Sequence, residues 1–360
     1  MDDLTGGGAP DSTGAPLLDV FMQGTTFFDM VLTGLPSQPV PGTEIHAEGM
    51  GSCPGGIANL AIAASRLGLR TGLASTFGDD VYGDFLWRTL EQEGVDLTRS
   101  QRVADWHSPV TVSLAVHRDR AMVTHAHSSP VPLAGLVSDT PITRIGFVSL
   151  DEEPEPWVSR AKAKGAKLFG DVGWDPSGRW APEELTGLGD LHAFLPNSTE
   201  AMAYTRTEDP RAALMSLAEL VPVVVVTCGG QGSIGIDSLT SEEEWVPSLP
   251  VNAVDATGAG DVFDAAFILG TLREWPLRNR MAFGNLCAAL SVQQVGGSLA
   301  APGWGDLADW LAGVRHAAAA GSRSAAVLAN SYGFVADELP SHPAVSLRRA
   351  VATIARMSDA

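Results

Sequence analysis

The strongest constraint on the fold is an alternation. Short apolar runs at 17–24, 70–78, 145–150, 167–171, 192–197, 221–230 and 233–237 take turns with helix-forming stretches at 57–67, 82–93, 157–165 and from Thr199 onward. Runs such as Val223-Val224-Val225-Val226 lack the in-out pattern of a half-exposed strand. They predict an α/β fold, a wound and mostly parallel sheet with helices on both faces. Ligands of such sheets bind beyond the carboxyl ends of the strands. Here the first strand runs into a loop carrying Asp29, and Gly51 to Gly56 reads as a loop before a helix.

Two stretches break the alternation, 36–50 and 108–127, and the latter has the pattern of a β-hairpin turning at Arg118-Asp119-Arg120. Strands outside the wound sheet predict a small β-lid. Residues 1–16 are poor in apolar side chains and rich in turn formers, which predicts a disordered leader. The main domain is expected over 17–329, followed by an extension at 330–360 that is Pro-punctuated and then helical.

The formal charge of -19 sets up a field that repels phosphate backbones and anionic membrane surfaces, so no nucleic-acid or membrane partner is expected. Cys53, Cys228 and Cys287 are far apart and form no CxxC pair, which suggests neither a disulfide framework nor a zinc site. The N-terminus lacks the basic-then-apolar pattern of a signal peptide, and a soluble, cytoplasmic protein is expected.

The densest chemical signal is the segment Val254-Asp255-Ala256-Thr257-Gly258-Ala259-Gly260-Asp261, followed by the apolar run Val262-Phe263-Asp264-Ala265-Ala266-Phe267. A glycine turn opening a helix gathers backbone N–H groups and the positive end of the helix dipole at one point, which suits an anion. Asp261 at its lip can accept a proton from an attacking hydroxyl. The plainer reading is a helix cap with a tight turn.

In full, the segment resembles the second signature of the ribokinase-like (PfkB) carbohydrate kinase family, D-x-x-G-A-G-D followed by an apolar helix. Gly24 with Asp29, the run 59–68, Gly78-Asp79-Asp80 with Gly83, Asn197-Ser198-Thr199-Glu200 and Thr227-Cys228-Gly229-Gly230-Gln231-Gly232 resemble the family's other motifs, in family order. The resemblance spans about Leu17 to Pro302 and implies a ribokinase-like fold with a β-lid over a sugar.

It further implies Asp261 as catalytic base and the N–H groups of Gly258, Ala259 and Gly260 as the anion hole. Asp29, Gly55, Gly56 and Asn59 would bind the acceptor, and Asn197, Thr227, Gly229, Gly232 and Asn285 the nucleotide. Glu200 would organise Mg²⁺ through water, while Asn197 and Glu200 also fit a reciprocal capping box. Asp255 and Thr257 resemble positions that bind a monovalent cation such as K⁺ in some members. Asn285 reads equally as a nucleotide-side residue or a surface one. The family's G-G-x-x-x-N loop is one residue shorter here, at Gly55-Gly56-Ile57-Ala58-Asn59, so either Pro54 and Gly55 take the places of the glycine pair or the loop is remodelled.

The activity so implied is ATP- and Mg²⁺-dependent phosphorylation of a hydroxyl on a sugar or sugar-like molecule. A nucleoside kinase is the alternative, with Phe27, Phe28 and Trp106 as candidate stacking surfaces. An inactive sugar-binding regulator is a third reading, and a homodimer through the lid is the expected assembly. His117, His125 and His127 fall in the hairpin, where no carboxylate or Cys nearby completes a metal-ligand set, so they read as residues facing substrate or solvent.

Overall fold

The computed structural model describes residues 17–116, 119–150, 155–175, 177–182, 185 and 187–341. The expected leader 1–16, most of the extension beyond 341, and the hairpin tip with His117 and Arg118 lie outside the described residues. In chain order the elements begin with β1 (Leu18–Gln23), β2 (Thr26–Thr33), β3 (Gly49–Gly56), α1 (Ala58–Arg66), β4 (Thr71–Ala74), β5 (Thr76–Gly78) and α2 (Val81–Gln92). There follow β6 (Gln101–Val103), β7 (Val110–Val116), β8 (Asp119–His125), β9 (Thr143–Ser149), α3 (Pro156–Ala163), β10 (Lys167–Asp171), β11 (Ala193–Phe194), α4 (Ser198–Thr205) and α5 (Pro210–Ala218). The order closes with β12 (Val223–Thr227), β13 (Ser233–Asp237), β14 (Glu242–Val246), α6 (Ala259–Leu272), α7 (Leu277–Ser291), α8 (Trp304–Ala319), α9 (Arg323–Ser331) and α10 (Val335–Glu338).

The large sheet has the order β14-β13-β12-β11-β10-β9-β1-β4. From β4 to β12 every pairing is parallel, and β13 and β14 add an antiparallel edge. Its central strands are buried because both faces are covered, while the edge strand β14 is partly exposed. One face packs on a cluster that includes Leu60, Phe263, Phe267 and Phe283 of α1, α6 and α7. The other packs on Trp157, Tyr204, Leu214 and Leu217 of α3, α4 and α5. Each fully buried aromatic contributes about 2 kcal/mol of transfer free energy, so α6, buried from Val262 to Thr271, is a fixed platform for whatever its N-terminus carries. Arg66, paired with Glu93, also donates to the Leu299 and Ala301 carbonyls and so fixes the chain after α7.

A separate four-stranded sheet has the order β3-β2-β7-β8. It departs from the sequence reading in three ways. Asp29 lies on β2 rather than in a loop, because Thr26–Thr33 pairs along its length with β3 and in part with β7. Residues 51–56, expected as a loop, belong to β3. Of 36–50, only Gly49 and Met50 are strand, since Pro36, Pro39 and Pro41 lack the N–H groups a ladder needs. Strand formation by Gly-Ser-Cys-Pro-Gly-Gly is a tertiary effect imposed by its partner, not a propensity.

Candidate functional site

The turn before α6 is defined by Gly258 at φ +72°, a left-handed conformation that disfavours a side chain, and a Cβ there would also lie 3.0 Å from Cγ of Asn59. Asp255 closes this turn by accepting hydrogen bonds from the N–H of Thr257 (2.9 Å) and the N–H of Gly296 (3.2 Å). Gly260 is exposed, with open space where a Cβ would stand, at the positive end of a 14-residue helix dipole. Of the three expected anion-hole donors, Ala259 is already engaged, its N–H donating to the Ala256 carbonyl at 3.3 Å.

Asp261 stands in the first turn of α6 and Asp264 one turn further on, fully buried. Burial pushes the Asp264 carboxyl well above the usual carboxylate range, and the charges of Asp171, Asp261 and Glu200 push it further. Both its oxygens are buried without a hydrogen-bond partner. Four acids from the end of β10, the start of α4 and the start of α6 thus share one region. Asp171 and Asp264 escaped the sequence reading. Asp171 could have been found, since it closes a predicted parallel strand at its carboxyl end, whereas Asp264 sits in an apolar run that reads as core. Hard carboxylate oxygens gathered around an unpartnered acid fit a divalent cation such as Mg²⁺.

Asn197 caps α4, its Oδ1 accepting from the N–H groups of Thr199 and Glu200, while Glu200 Oε2 accepts from the Asn197 N–H at 3.0 Å. The capping box is therefore formed. Asn197 bridges to Thr227 at the end of β12, which brings two expected nucleotide residues together. Beyond Thr227 the loop tightens over Gly229–Gln231 and closes with the Cys228 N–H donating to the Gly232 carbonyl at 2.7 Å. Asn285 is buried, with its Nδ2 donating to the Val246 carbonyl at 3.0 Å, so it is not a surface residue. It anchors the segment carrying Ser248, whose hydroxyl donates to the Gly230 carbonyl at 2.6 Å. Ser248 carried no sequence signal.

At the other end, Asp29 is buried on β2, and a Cβ on Gly55 would fall 2.0 Å from its Oδ2. The carboxylate lies against the bare backbone of β3, a close approach that only glycine permits. Asn59, in the first turn of α1, has a buried Oδ1 without a hydrogen-bond partner, as has the hydroxyl of Thr257. Burial, and then the charges of Asp29 and Asp255, raise the Cys53 thiol well above its ordinary value, so both carboxylates lie close to one sulfur. Through Cys53 and the Asn59–Gly258 contact, the β2 end and the α6 turn adjoin. Phe28 is wholly buried against Tyr82 and Phe85, whereas Phe27 is half-buried and, two residues from Asp29, shares its face of the strand.

A family model described as pfkB family carbohydrate kinase matches residues 24–303. The chain belongs to that family. It is a kinase, a phosphotransferase with an alcohol group as acceptor, in a family of ATP-using enzymes. A fructokinase of Klebsiella pneumoniae is 30% identical over 71% of this chain and 91% of its own length. A nucleoside kinase of Methanothermobacter thermautotrophicus is 27% identical over 80% and 94%. Among solved structures, a putative ribokinase II of E. coli in complex with ATP and Mg²⁺ superposes with a TM-score of 0.67 at 21% identity, covering 79% of this chain and 96% of that one. The match of this pfkB-family kinase takes in β2, β3, the loop at 227–232 and the α6 turn together. No helix among the described residues is long and apolar enough to cross a membrane.

Proposed function

We propose that the chain phosphorylates a hydroxyl of a neutral sugar or sugar-like polyol held by Asp29 and Asn59, with ATP as donor and Asp261 as general base. The observation that carries this reading is the contact of Asn59 with Gly258, which sets an unpartnered acceptor-side amide oxygen beside the turn that presents Asp261. The hydroxyl oxygen would attack the γ-phosphorus as the bond to the β–γ bridging oxygen breaks. The proton would pass to Asp261, and ADP would leave. Backbone N–H groups of Gly258 and Gly260 would stabilise charge on the transferred group.

Glu200, Asp171 and Asp261 are the residues that would hold Mg²⁺, wholly or through water, and the ion would supply charge neutralisation across the phosphates. Asp255 and the buried hydroxyl of Thr257 would serve a monovalent cation such as K⁺. Thr227 and the loop to Gly232, braced by Ser248, would receive the nucleotide, with Asn285 acting as the anchor of that brace. The β3-β2-β7-β8 sheet would act as the lid, and its exposed Met122 and Val123 on β8 suit a homodimer contact.

A nucleoside acceptor is the second reading, favoured by Phe27 on the Asp29 face, where a base could stack. Phe28 is excluded from that role by its burial. Coupled ADP release over pentoses, hexoses, sugar acids and nucleosides decides between them. Turnover of neutral sugars is expected. Preference for a sugar acid or sugar phosphate would overturn the neutral-acceptor assignment, and preference for nucleosides would install the nucleoside reading.

A further inference from the structure

Away from this site, His107, His125 and His127 place one ring nitrogen each within 4.8 Å of one another. Their ring centroids are 5.0 Å apart for His107–His125, 4.8 Å for His107–His127 and 5.0 Å for His125–His127. His107 supplies the third imidazole that the sequence spacing hid, because it lies 18 positions before His125 and enters from another segment.

Strand register places this cluster relative to the acceptor site. Val110 is paired with His125 on β8 and with Phe28 on β2, and directly paired residues point to one face. Thr111 is paired with Thr124 and with Asp29, and these occupy the opposite face. The thickness of the small sheet therefore separates the imidazoles from Asp29. The three also come from distinct points of the chain: His107 lies in the connection that enters β7, His125 ends β8, and His127 lies on the segment that leaves it. Together they mark the root of the β7–β8 hairpin, where it joins the rest of the protein.

One ligand is already oriented. His107 Nδ1 lies 3.2 Å from the Ser108 carbonyl, which can only accept, so Nδ1 carries the hydrogen and Nε2 keeps its lone pair for a metal. Ser108 is itself fixed, its N–H donating to Asp80 Oδ2 at 2.8 Å and its hydroxyl accepting from the Gly78 N–H at 3.0 Å. His125 and His127 are exposed. Tetrahedral zinc with Zn–N of about 2.0–2.1 Å needs nitrogens about 3.3 Å apart, so the cluster would have to draw in on binding. An all-imidazole set favours a borderline transition cation over Mg²⁺, so it would not compete for the ion of the kinase site.

We propose that His107, His125 and His127 bind one Zn²⁺ per chain, with water in the fourth position, as a clip at the root of the β7–β8 hairpin. The test uses the untagged full chain, stripped with a chelator and titrated with ZnCl₂ by calorimetry and with CoCl₂ by visible absorption. One equivalent bound with a Kd of about 10 μM or tighter, and a tetrahedral Co²⁺ spectrum, are expected. The double variant H125A/H127A should lose at least about 100-fold in affinity, more than a lost outer-shell partner costs, while keeping Mg²⁺-dependent phosphotransfer. Hydrogen exchange over 105–128 should slow with Zn²⁺ in the wild type and not in the variant. Should the double variant misfold, imidazole NMR of the wild type decides, since Zn²⁺ must shift three of the eight histidines. No zinc binding, binding that survives the double substitution, or shifts at other histidines would overturn the proposal.

Discussion

At the α6 end the material that would meet a ligand in the proposed site is backbone: a left-handed Gly258, an exposed Gly260 and the N–H groups of a helix whose remaining length is locked in the core. At the β2 end it is side chain. Asp29 and Asn59 point where they do because neighbours lack bulk, Gly55 beneath the carboxylate and Gly258 beside the amide. A backbone-made site is robust to most substitutions and sensitive to glycine replacement. A side-chain site depends on packing at every neighbour, and on the proposed reading it is the part that can be retuned for a new acceptor while the α6 end stays constant.

The largest effect should come from Asp261→Asn. Asn keeps the size of the side chain and can still serve the first turn of α6, so the thermal midpoint should scarcely move, while loss of general base catalysis should lower kcat by about 10² to 10⁴. Retained turnover would assign the base to another group, and unfolding would make Asp261 structural. Next is the matched pair Gly55→Ala and Gly260→Ala. The first sets a methyl 2.0 Å from Asp29 Oδ2 and must displace the carboxylate. The acceptor KM should rise about 5- to 150-fold, the 1–3 kcal/mol cost of a stranded buried polar group. The other adds a methyl in open space, so stability should hold or gain up to about 1 kcal/mol from helix propensity, and any kinetic damage should fall on ATP. Equal acceptor effects from both would erase the distinction between the two ends.

The contrast also governs what could be read from the sequence. The α6 turn was legible because glycines before an apolar helix carry their meaning locally, and the strand at 167–171 was legible from its apolar run. β2 was not, because Asp29 interrupts its apolar face, and β3 was not, because its glycines, cysteine and proline become a strand only by pairing with β2. Asp264 hid in a core-like run and acquires significance only from Asp171 and Glu200 on other elements. Asn285 could not be placed without seeing the Val246 carbonyl it binds.

Glu200→Gln sharpens the phosphate side further. Gln retains an oxygen for the Asn197 N–H, so the capping box should survive, and loss of charge beside Asp264 should ease that acid. If Glu200 also orders the waters of Mg²⁺, the Mg²⁺ concentration for half-maximal rate should rise about 10-fold or more with the acceptor KM unchanged. An unaltered Mg²⁺ requirement leaves Glu200 as a cap alone.

His192 supplies a reference away from both ends, at the amino-terminal side of β11, and the smallest effect. Burial, aided by the positive charge of Lys167, lowers it from 6.5 to about 4 in the folded chain. Its folded value is depressed, so the unfolded chain binds the proton first as pH falls. Stability is full above pH 6.5 and declines between pH 6.5 and 4, with the slope of one proton. The whole shift corresponds to about 3 kcal/mol, and because the ring is only half-buried, screening should reduce the loss to about 1–2 kcal/mol. His192→Asn removes the titrating group and should flatten the thermal midpoint over this range while leaving kcat and both KM values at pH 7.5 unchanged. With that acid sensitivity of the body removed, a fall in rate on acidification can be separated from loss of folded protein. An unflattened midpoint profile would move the acid sensitivity of the fold to another group.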